Sequence, residues 1–390
     1  MQANQKFDTI VVGLGAMGSA TLLQLAQKGI KVLGIDQFRP PHIQGSTHGG
    51  SRVTRQAYYE DPAYVPLLIR SYELWEDIGQ KSGKTLFRQT GGLMMSDEAG
   101  EIAQRSLAAA QAYDLPHTYL SHRQLREQFP MFNTAPGTEG LLEHRAGMLD
   151  PEACVEAQLT LAEAAGATCR FGEKMMNWEA SAQGVLVDTD QGRYQAEKLV
   201  LSLGPWAMNM AEALGVPLHI DRIAQFFLQP IGPISTYAPD RFPLFLWIVE
   251  KDLGYYGFPA VDGPKGGLKL SFYPYGDHPV RQLCTAESID REISAKDEAD
   301  IRHYTQTFMP DLNGEVVRTL TCMHTNSPDY HPVIGLHPQH DQVALAFGFS
   351  GHGFKFSNVV GELLADLILG GASSWELDLF SPGRFTNQPV

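Results

Sequence analysis

The feature that most constrains this chain is a glycine-rich turn between two short apolar segments near its start. Residues 9–12 are apolar and predict a buried strand, and a second apolar segment, residues 32–35, ends in Asp36. The residues between them have helical apolar spacing and stop at Gly29. Three glycines after the first strand have the spacing G-x-G-x-x-G: Gly13, Gly15 and Gly18. The chain therefore begins with a predicted β-α-β unit.

This unit predicts a dinucleotide-binding site. One glycine of such a motif makes a tight turn, one lets the backbone approach a pyrophosphate, and one lets helix and strand pack closely. Asp36 follows about 20 residues later, where a carboxylate accepts a hydrogen bond from a ribose hydroxyl, and this argues against NADP. The motif does not distinguish FAD from NAD. A structural glycine turn in another α/β fold is the alternative.

Charge and cysteine content exclude several classes of protein. The chain has 390 residues and a formal net charge of -14, and such an acidic protein repels nucleic acid phosphates. Its cysteines show no metal-type spacing, so we expect no metal site, no disulfides and a reducing compartment. The run Met1 to Lys6 is too short for a signal sequence, and no stretch is long and apolar enough for a bilayer. We expect a soluble, cytoplasmic protein without nucleic acid or membrane partners.

The sequence pattern changes along the chain, which predicts two domains. Asp150 and Pro151 open a predicted helix, a strand is predicted over 343–347, and an amphipathic helix over 359–369. The segment 218–320 is rich in Tyr, Phe, Pro and Gly, and its alternating residues predict antiparallel strands. We expect an α/β fold with a discontinuous nucleotide-binding domain and a sheet-based substrate domain. The expected pieces are 1–85, 150–217 and 321–390 for the first domain, and 86–149 and 218–320 for the second.

A loop rich in Gly, Ser and Thr follows Asp36 and contains two arginines, Arg52 and Arg55. If Ser51 begins a helix, the two guanidinium groups share one face of it. In that position they serve an anionic substrate and an electron-rich flavin. The alternative is that both arginines bind phosphate or pair with surface acids.

This loop also begins a series of sequence blocks that resembles a known family. The later blocks are Ala57-Tyr58, Tyr64 to Leu67, Tyr255 to Pro259, Gly267 to Leu270, Cys322 to Thr325 and Gly348 to Ser357. In order and approximate spacing they resemble the monomeric sarcosine oxidase family, which includes N-methyltryptophan oxidase and, more distantly, pipecolate oxidase. The resemblance extends over nearly the whole chain, and the last block is its most specific part.

The resemblance implies an FAD that is covalently bound. The flavin is expected to be attached through its 8α-methyl group to Cys322 as a thioether, and a buried, inert thiol is the alternative for this residue. The implied fold is a Rossmann-like FAD-binding domain with a second, antiparallel-sheet substrate domain. The residues expected to contact the cofactor are Gly13, Gly15, Met17, Gly18, Asp36, Ser46, Cys322, Gly351, Gly353, Phe354 and Lys355.

The resemblance also assigns roles to charged and aromatic side chains. Arg55 and Lys355 match family positions that hold the substrate carboxylate, because Arg offers a planar fork and Lys a point charge. Arg52 is expected to lie against the flavin, and Lys269 to promote reaction with oxygen through its fixed positive charge. For Lys269 and Lys355 the alternative is an ordinary exposed or snorkelling lysine. Two further residues match active-site positions: His48 and Tyr256.

Two positions depart from the family pattern in a reciprocal way. Where the family usually has a histidine, four residues after the oxygen-activating lysine, this chain has Tyr273. Where the family usually has a tyrosine, two residues after the flavin-linked cysteine, it has His324. We hypothesise that the two side chains line one pocket and have exchanged roles. Trp247 also departs from the usual pattern and is expected to narrow or shape the pocket.

Together these residues predict an FAD-dependent amine oxidase. We expect it to oxidise a secondary amino acid, either sarcosine or another N-methyl amino acid such as N-methyltryptophan, with oxygen as the acceptor. The products are an imine, which hydrolyses to aldehyde and amine, and hydrogen peroxide. A cyclic imino acid such as pipecolate or proline is the alternative substrate. A dehydrogenase with another acceptor, a non-catalytic FAD protein and an NAD-linked dehydrogenase are further alternatives, and we expect a monomer.

Overall fold

The computed structural model describes residues 6–97, 100–371, 373 and 375–385. The expectation about a signal sequence therefore rests mainly on residues outside the described part. In chain order the strands are β1 (Lys6–Val12), β2 (Val32–Asp36), β3 (Arg52–Thr54), β4 (Phe87–Gln89), β5 (Gly92–Ser96), β6 (His117–Leu120), β7 (Glu139–Glu143), β8 (Gly147–Leu149), β9 (Thr168–Phe171), β10 (Met175–Ser181), β11 (Gly184–Thr189), β12 (Arg193–Leu201), β13 (His219–Leu228), β14 (Leu244–Glu250), β15 (Leu253–Gly257), β16 (Leu268–Pro274), β17 (Leu283–Cys284), β18 (Val316–Asn326), β19 (Val333–His337) and β20 (His340–Phe347).

The α-helices are α1 (Ala16–Gln27), α2 (Tyr64–Ser82), α3 (Ile102–Ala112), α4 (His122–Gln128), α5 (Pro151–Ala164), α6 (Met208–Ala213), α7 (Ala295–Phe308) and α8 (Ser357–Gly370). Short 3₁₀ helices occupy Gly204–Ala207, Ile234–Tyr237, Pro310–Leu312, Phe354–Phe356, Asp378–Phe380 and Pro382–Phe385. Among the described residues, no helix has the length and hydrophobicity that crossing a bilayer requires.

The first sheet is built around the N-terminal β-α-β unit. β1 runs parallel to both β2 and β12, β2 is parallel to β9, and β12 is parallel to β20. Alternate side chains of β1 point to opposite faces of the sheet. Val11 packs with helices α1, α5 and α8, whereas Ile10 and Val12 pack on the face that carries α6. Both faces are therefore buried, as a parallel sheet requires.

The second sheet is largely antiparallel, with the strand order β17-β13-β16-β15-β14-β5-β7-β6 and with β18 paired to β13. One of its faces packs against α7 in an apolar core that contains Phe245, Tyr255 and Ile301. The predicted α/β class, with a Rossmann-like unit and a separate antiparallel sheet, is confirmed. Because β18 pairs with β13, we propose that the second domain extends to Asn326.

A third, small sheet joins the arginine loop to the rest of the molecule. The expected helix at Ser51 is wrong, because Arg52 to Thr54 form β3, which pairs antiparallel with β8. Residues three apart along an extended chain point to opposite sides. Arg52 and Arg55 therefore do not share a face and reach different parts of the site. The prediction for α5 is confirmed: Pro151 begins the helix, and the Asp150 carboxylate accepts from the Ala153 N–H group at 2.9 Å.

Candidate active site

The glycine turn is shaped for the close approach of a ligand. Gly13 has a φ of +86°, and a Cβ there would overlap the Ser202 carbonyl oxygen. A Cβ on Gly18 would overlap the backbone of the turn itself, so this glycine lets α1 pack against β1. Gly15 is the N-cap residue of α1, and among the described residues no side chain caps the helix. The N–H groups of the first turn of α1 are therefore available to a diphosphate.

A cavity of about 590 Å³ runs from the glycine turn to the second sheet. The predicted cofactor residues that line it are Gly13, Gly15, Met17, Asp36, Ser46, Cys322, Gly351, Gly353 and Phe354. Gly18 instead lies behind the turn, and Lys355 is buried next to Phe354. Thr47, Ser202 and Trp206 also line the cavity, and no sequence motif marked them. The residues present thus fit a dinucleotide with its phosphates at the turn and its ring near Cys322.

Asp36 lines the cavity and also accepts hydrogen bonds from two backbone N–H groups. Its Oδ2 accepts from the Leu14 N–H group at 2.7 Å, and its Oδ1 accepts from the Phe38 N–H group at 2.8 Å. Burial raises the pKa of the Asp36 carboxyl, and these two N–H groups and His42 oppose the increase. Each carboxylate oxygen has two acceptor positions. Asp36 can therefore hold the turn and still accept from a ribose hydroxyl.

Strand register gathers the other predicted site residues on one face of the second sheet. Lys269 and Tyr273 flank Ser271 on β16 at the period of two that puts side chains on one face. Ser271 pairs with Tyr256 on β15 and with Gln225 on β13. The pairing of β13 with β18 continues this face across the sheet. The predicted site residues on it are Tyr256, Lys269, Tyr273, Cys322 and His324.

Arg52 lies against Cys322 at the sheet end of the cavity. Its Nη2 donates to the Ser46 carbonyl at 2.7 Å and lies 3.6 Å from the Cys322 Sγ. Its Nη1 donates to the Ser51 carbonyl at 2.8 Å. Cys322 is only 2% exposed, yet it lines the cavity. The thiol therefore has a ligand-sized space on one side and a fixed cation on the other.

Lys269 is a buried ammonium group that is held by backbone carbonyls. It is 3% exposed, and its Nζ donates to the carbonyl oxygens of Gly49 at 2.9 Å and Ser51 at 3.1 Å. Burial lowers the pKa of Lys269 well below its usual range, and Arg52 lowers it further. Nearby negative charge favours the protonated form of such a group. Lys269 is thus placed to respond to charge that develops beside it.

His48 lies in the same loop and is neutral. Its Nε2 lies 2.9 Å from the Thr321 carbonyl oxygen and therefore carries the ring proton. Its Nδ1 is buried and has no hydrogen-bond partner within the described part of the chain. Burial, together with Arg52 and Lys269, lowers the pKa of His48 to about 3. This histidine presents an unpaired acceptor nitrogen.

Arg55 and Lys355 converge on the ring of Tyr58. The guanidinium carbon of Arg55 lies 4.2 Å from the ring centre, and the Nζ of Lys355 lies 5.1 Å from it. Both cations are buried. The Nζ of Lys355 donates to the His352 carbonyl at 2.5 Å, and the Tyr58 hydroxyl lies 2.6 Å from the His352 Nδ1. The two predicted carboxylate-binding residues therefore lie together against one aromatic ring.

A carboxylate of the protein itself pairs with Arg55. The Arg55 Nη2 donates to both carboxylate oxygens of Glu60, each at 2.7 Å. Burial alone would raise the pKa of Glu60, but Arg55, His352 and Lys355 outweigh burial and lower it. Burial also lowers the pKa of Lys355 to about 7, with Arg55 acting in the same direction and Glu60 opposing. No sequence pattern marked Glu60, and its carboxylate partly neutralises the two cations.

Tyr273 and His324 lie together, as the hypothesis of exchanged roles requires. Their ring centres are 5.4 Å apart, at an angle of 65° between the ring planes. Tyr273 donates to the Ser350 carbonyl, and His324 lines the cavity. Burial, followed by Arg52, lowers the pKa of His324 to about 3. A Cβ on Gly351 would press on both rings, so this glycine makes room for the pair.

The expectation that Trp247 shapes the pocket is wrong. Its ring lies 4.8 Å from that of Phe308, in the apolar core on the opposite face of the second sheet. Leu246, one residue earlier on β14, pairs with Tyr256 and packs on the site face. Side chains alternate along a strand, so a shift of one residue reverses the face.

Comparison with known proteins adds independent findings. A family described as FAD dependent oxidoreductase matches residues 8–367. The chain is 41% identical to the monomeric sarcosine oxidase of Streptomyces avermitilis over 385 residues, which cover 98% of this chain and 99% of that protein. It is 32% identical to the peroxisomal sarcosine oxidase of Homo sapiens over 97% of this chain and 96% of that protein. It is 31% identical to the N-methyl-L-tryptophan oxidase of Salmonella enteritidis, with 98% and 100% covered.

Solved structures share the fold at lower identity. The L-proline dehydrogenase of P. horikoshii superposes with a TM-score of 0.82 at 23% identity, covering 98% of this chain and 99% of that one. NikD, described as an unusual amino acid oxidase essential for nikkomycin biosynthesis, superposes with a TM-score of 0.80 at 23% identity, with 97% and 98% covered. These similarities concern the fold.

Proposed function

The chain belongs to the FAD dependent oxidoreductase family, and we propose that it is an amine oxidase acting on an N-methyl amino acid with oxygen as the acceptor. One observation above all supports this proposal. Two buried cations, Arg55 and Lys355, converge on one aromatic ring, and Lys355 directly follows Phe354, which lines a cavity that fits FAD. A buried cationic pair of this kind suits an anionic group on a small substrate.

The substrate carboxylate is bound by Lys355 and by the guanidinium of Arg55. Only the Nη2 of Arg55 faces Glu60, while its Nη1 donates to the Ala57 carbonyl at 3.2 Å, so the fork retains further N–H groups for a ligand. Leaving a buried carboxylate unpaired would cost several kcal/mol, roughly. The aromatic rings around the pair exclude water and strengthen its attraction for the anion.

The amine of the substrate reacts as the neutral base. Burial and the neighbouring cations both disfavour its charged form. His48 and His324, each with a pKa of about 3, are uncharged and add no further positive charge at neutral pH. We therefore assign no obligatory general base. The site positions the C–H bond beside nitrogen, and this orientation is a large part of its contribution.

FAD is held by the glycine turn at its diphosphate and by Asp36 at a ribose. The chemistry that a bound FAD would supply is uptake of a hydride equivalent from the carbon beside nitrogen and transfer of two electrons to oxygen, which with two protons would give hydrogen peroxide. We propose that Cys322 forms a thioether to the flavin 8α-methyl group, supported by its place on the cavity wall. Arg52, next to that sulfur, provides a fixed positive charge for the electron-rich ring.

Lys269 is proposed to promote the reaction with oxygen. Electron transfer to oxygen creates negative charge, and a fixed ammonium in a site of low dielectric stabilises that charge. The two carbonyl contacts of Lys269 hold the Nζ in one place, which supports this role. A dehydrogenase that uses another acceptor has no need of such a group, and release of hydrogen peroxide distinguishes the two activities.

The substrate is proposed to be sarcosine or another N-methyl amino acid, including N-methyltryptophan. A cyclic imino acid such as pipecolate or proline is the second candidate, because it also joins a carboxylate to a secondary amine. Pockets discriminate single methylene groups only modestly. We also propose a monomer in the cytoplasm, and size-exclusion chromatography of the purified protein tests the monomer.

The proposal is tested by mixing the purified enzyme with each candidate amino acid without oxygen and following the flavin absorbance. We expect bleaching with an N-methyl amino acid and hydrogen peroxide after oxygen is admitted. Bleaching with proline or pipecolate alone would favour the cyclic substrate. A flavin that none of these compounds bleaches would contradict the proposal.

A further inference from the structure

Glu152, a residue with no part in the reaction described so far, holds the loop that contains His48. It lies in the first turn of α5, directly after Pro151. Its Oε1 accepts from the Gly49 N–H group at 2.6 Å, and its Oε2 accepts from the Gly50 N–H group at 3.2 Å. These contacts join positions that are 103 and 102 residues apart in the chain. A single carboxylate therefore fixes two successive peptide groups of the loop.

The same turn holds Lys269 from its other side. Its Nζ donates to the Gly49 and Ser51 carbonyls. Gly49 has a φ of +101°, and a Cβ there would lie 2.9 Å from the Gln225 Oε1 and 3.2 Å from the Lys269 Nζ. The backbone thus passes very close to both side chains. Any movement of this turn moves the carbonyl oxygens that position the ammonium.

Charge also connects the two residues. The groups whose charge acts on Lys269 lie on three elements: Arg52 on β3, Arg318 and Cys322 on β18, and Glu152 on α5. Two neutral histidines, His48 in the loop and His324 on β18, are also near it. Arg52 and Arg318 disfavour its protonated form, whereas Cys322 and Glu152 favour it. The ring of Phe258, 5.3 Å from the Nζ, is the aromatic neighbour. Glu152 therefore offsets the two arginines.

We propose that Glu152 is a positioning residue for Lys269: it fixes the Gly49–Gly50 turn and keeps the ammonium charged for the reaction with oxygen. This inference rests on the proposed role of Lys269. The competing interpretation is that Glu152 only stabilises α5, because an acid in the first turn interacts favourably with the helix dipole. The N-cap Asp150 already bonds to that helix through the Ala153 N–H group.

Two substitutions separate the charge of Glu152 from its hydrogen bonds. Glu152→Gln keeps an oxygen that accepts from Gly49 but removes the charge, whereas Glu152→Ala removes both. Glu156→Gln is the matched control, because Glu156 lies one turn later on α5 and pairs with Lys84 at 2.6 Å near the surface. Each holoenzyme is reduced with dithionite and mixed with oxygen across about pH 6 to 10. The flavin reoxidation rate is recorded, so no amine substrate is required.

For Glu152→Gln we expect the flavin reoxidation rate to decrease at a pH about one unit lower than in the parent, because the lysine loses its proton earlier. At the acidic end of the pH range the rate should change little. At alkaline pH the reoxidation rate of Glu152→Gln is then about tenfold lower than that of the parent. Glu152→Ala is expected to show in addition faster amide hydrogen exchange at residues 48–51, measured by mass spectrometry. Glu156→Gln is expected to match the parent in both measurements.

A parental pH profile in Glu152→Gln, with parental exchange in Glu152→Ala, would overturn the inference and leave Glu152 as a helix-stabilising acid. Lys269→Met separates this failure from a failure of the proposed function. If Lys269→Met is reoxidised at the parental rate, the role of Lys269 itself is wrong. If Lys269→Met is slow while Glu152→Gln has the parental pH profile and Glu152→Ala the parental exchange, only the inference about Glu152 is wrong.

Discussion

Replacing Glu60 by Gln is expected to tighten the binding of carboxylates in the substrate pocket. In the free protein the Glu60 carboxylate neutralises Arg55 through two contacts of 2.7 Å. A ligand carboxylate that enters the pocket is repelled by Glu60 and competes with it for the guanidinium. The glutamine of the variant keeps an oxygen acceptor for Arg55 but removes the negative charge. Arg55 and Lys355 then act on the ligand with their full charge.

The size of the effect follows from the geometry. Two unit charges about 4 Å apart interact by about 4 kcal/mol at an effective dielectric constant of about 20. The side chain of Glu60 is 16% exposed, so screening by water and rearrangement of the side chains reduce the repulsion between Glu60 and the ligand carboxylate. We expect about 1 to 2 kcal/mol, which corresponds to a Kd that is about 5 to 30 times lower. Because Glu60 opposes the decrease in the pKa of Lys355, the lysine of the variant loses its proton at a lower pH than the parental value of about 7, and the gain shrinks as the pH rises toward 7.

Isothermal titration of the oxidised enzyme with propionate, a carboxylate that lacks the amine, measures this effect. The titration is performed one pH unit below the Lys355 pKa of about 7, where the lysine of the parent is charged. Glu73→Gln is the control, because Glu73 is an exposed acid on α2 that pairs with Arg70. We expect the control to bind propionate as the parent does. Equal or weaker binding by Glu60→Gln would refute the idea that Glu60 competes with the substrate.

Three further outcomes are expected. Cys322→Ala is expected to lose the fluorescent flavin band on a denaturing gel under ultraviolet light, and a persisting band contradicts the thioether. Because the pKa of Lys355 is about 7, the affinity for carboxylates is expected to fall as pH rises past it, since the lysine loses its charge. Lys355→Met should abolish this pH dependence. If the carboxylate affinity of that variant depends on pH as in the parent, a group other than Lys355 causes the dependence. Gly18→Ala is expected to lose nearly all bound FAD in absorbance spectra, because its Cβ overlaps the turn, whereas Gly192→Ala, with nothing within 4 Å, should load normally.

The parts of the fold that local signals specify were predictable from sequence. The glycines at positions 13, 15 and 18 lie between two apolar runs, and both the turn and the strand–helix packing depend on those few residues. The helix cap at Asp150 is equally local, because the side chain bonds to an N–H group three residues later. Such signals require no knowledge of the rest of the molecule.

Features that depend on distant pairing were not predictable in this way. Arg52 to Thr54 form a strand because β8, almost 100 residues later, offers them a partner. Trp247 and Leu246 differ only in which face of the second sheet they occupy, and the pairing with β15 decides this. Glu152 reaches Gly49 only because α5 packs beside the loop. In each case a nonlocal contact, not residue type, decides the role of the side chain.

The central claim is that the pocket beside the flavin recognises the carboxylate of an amino acid through Arg55 and Lys355. The most direct test is to compare anaerobic flavin reduction by an N-methyl amino acid and by its neutral amide. We predict that the amide requires a concentration about 100-fold higher for half-maximal reduction, because it leaves the two buried cations without a charged partner. Half-saturation by acid and amide at the same concentration would contradict the account.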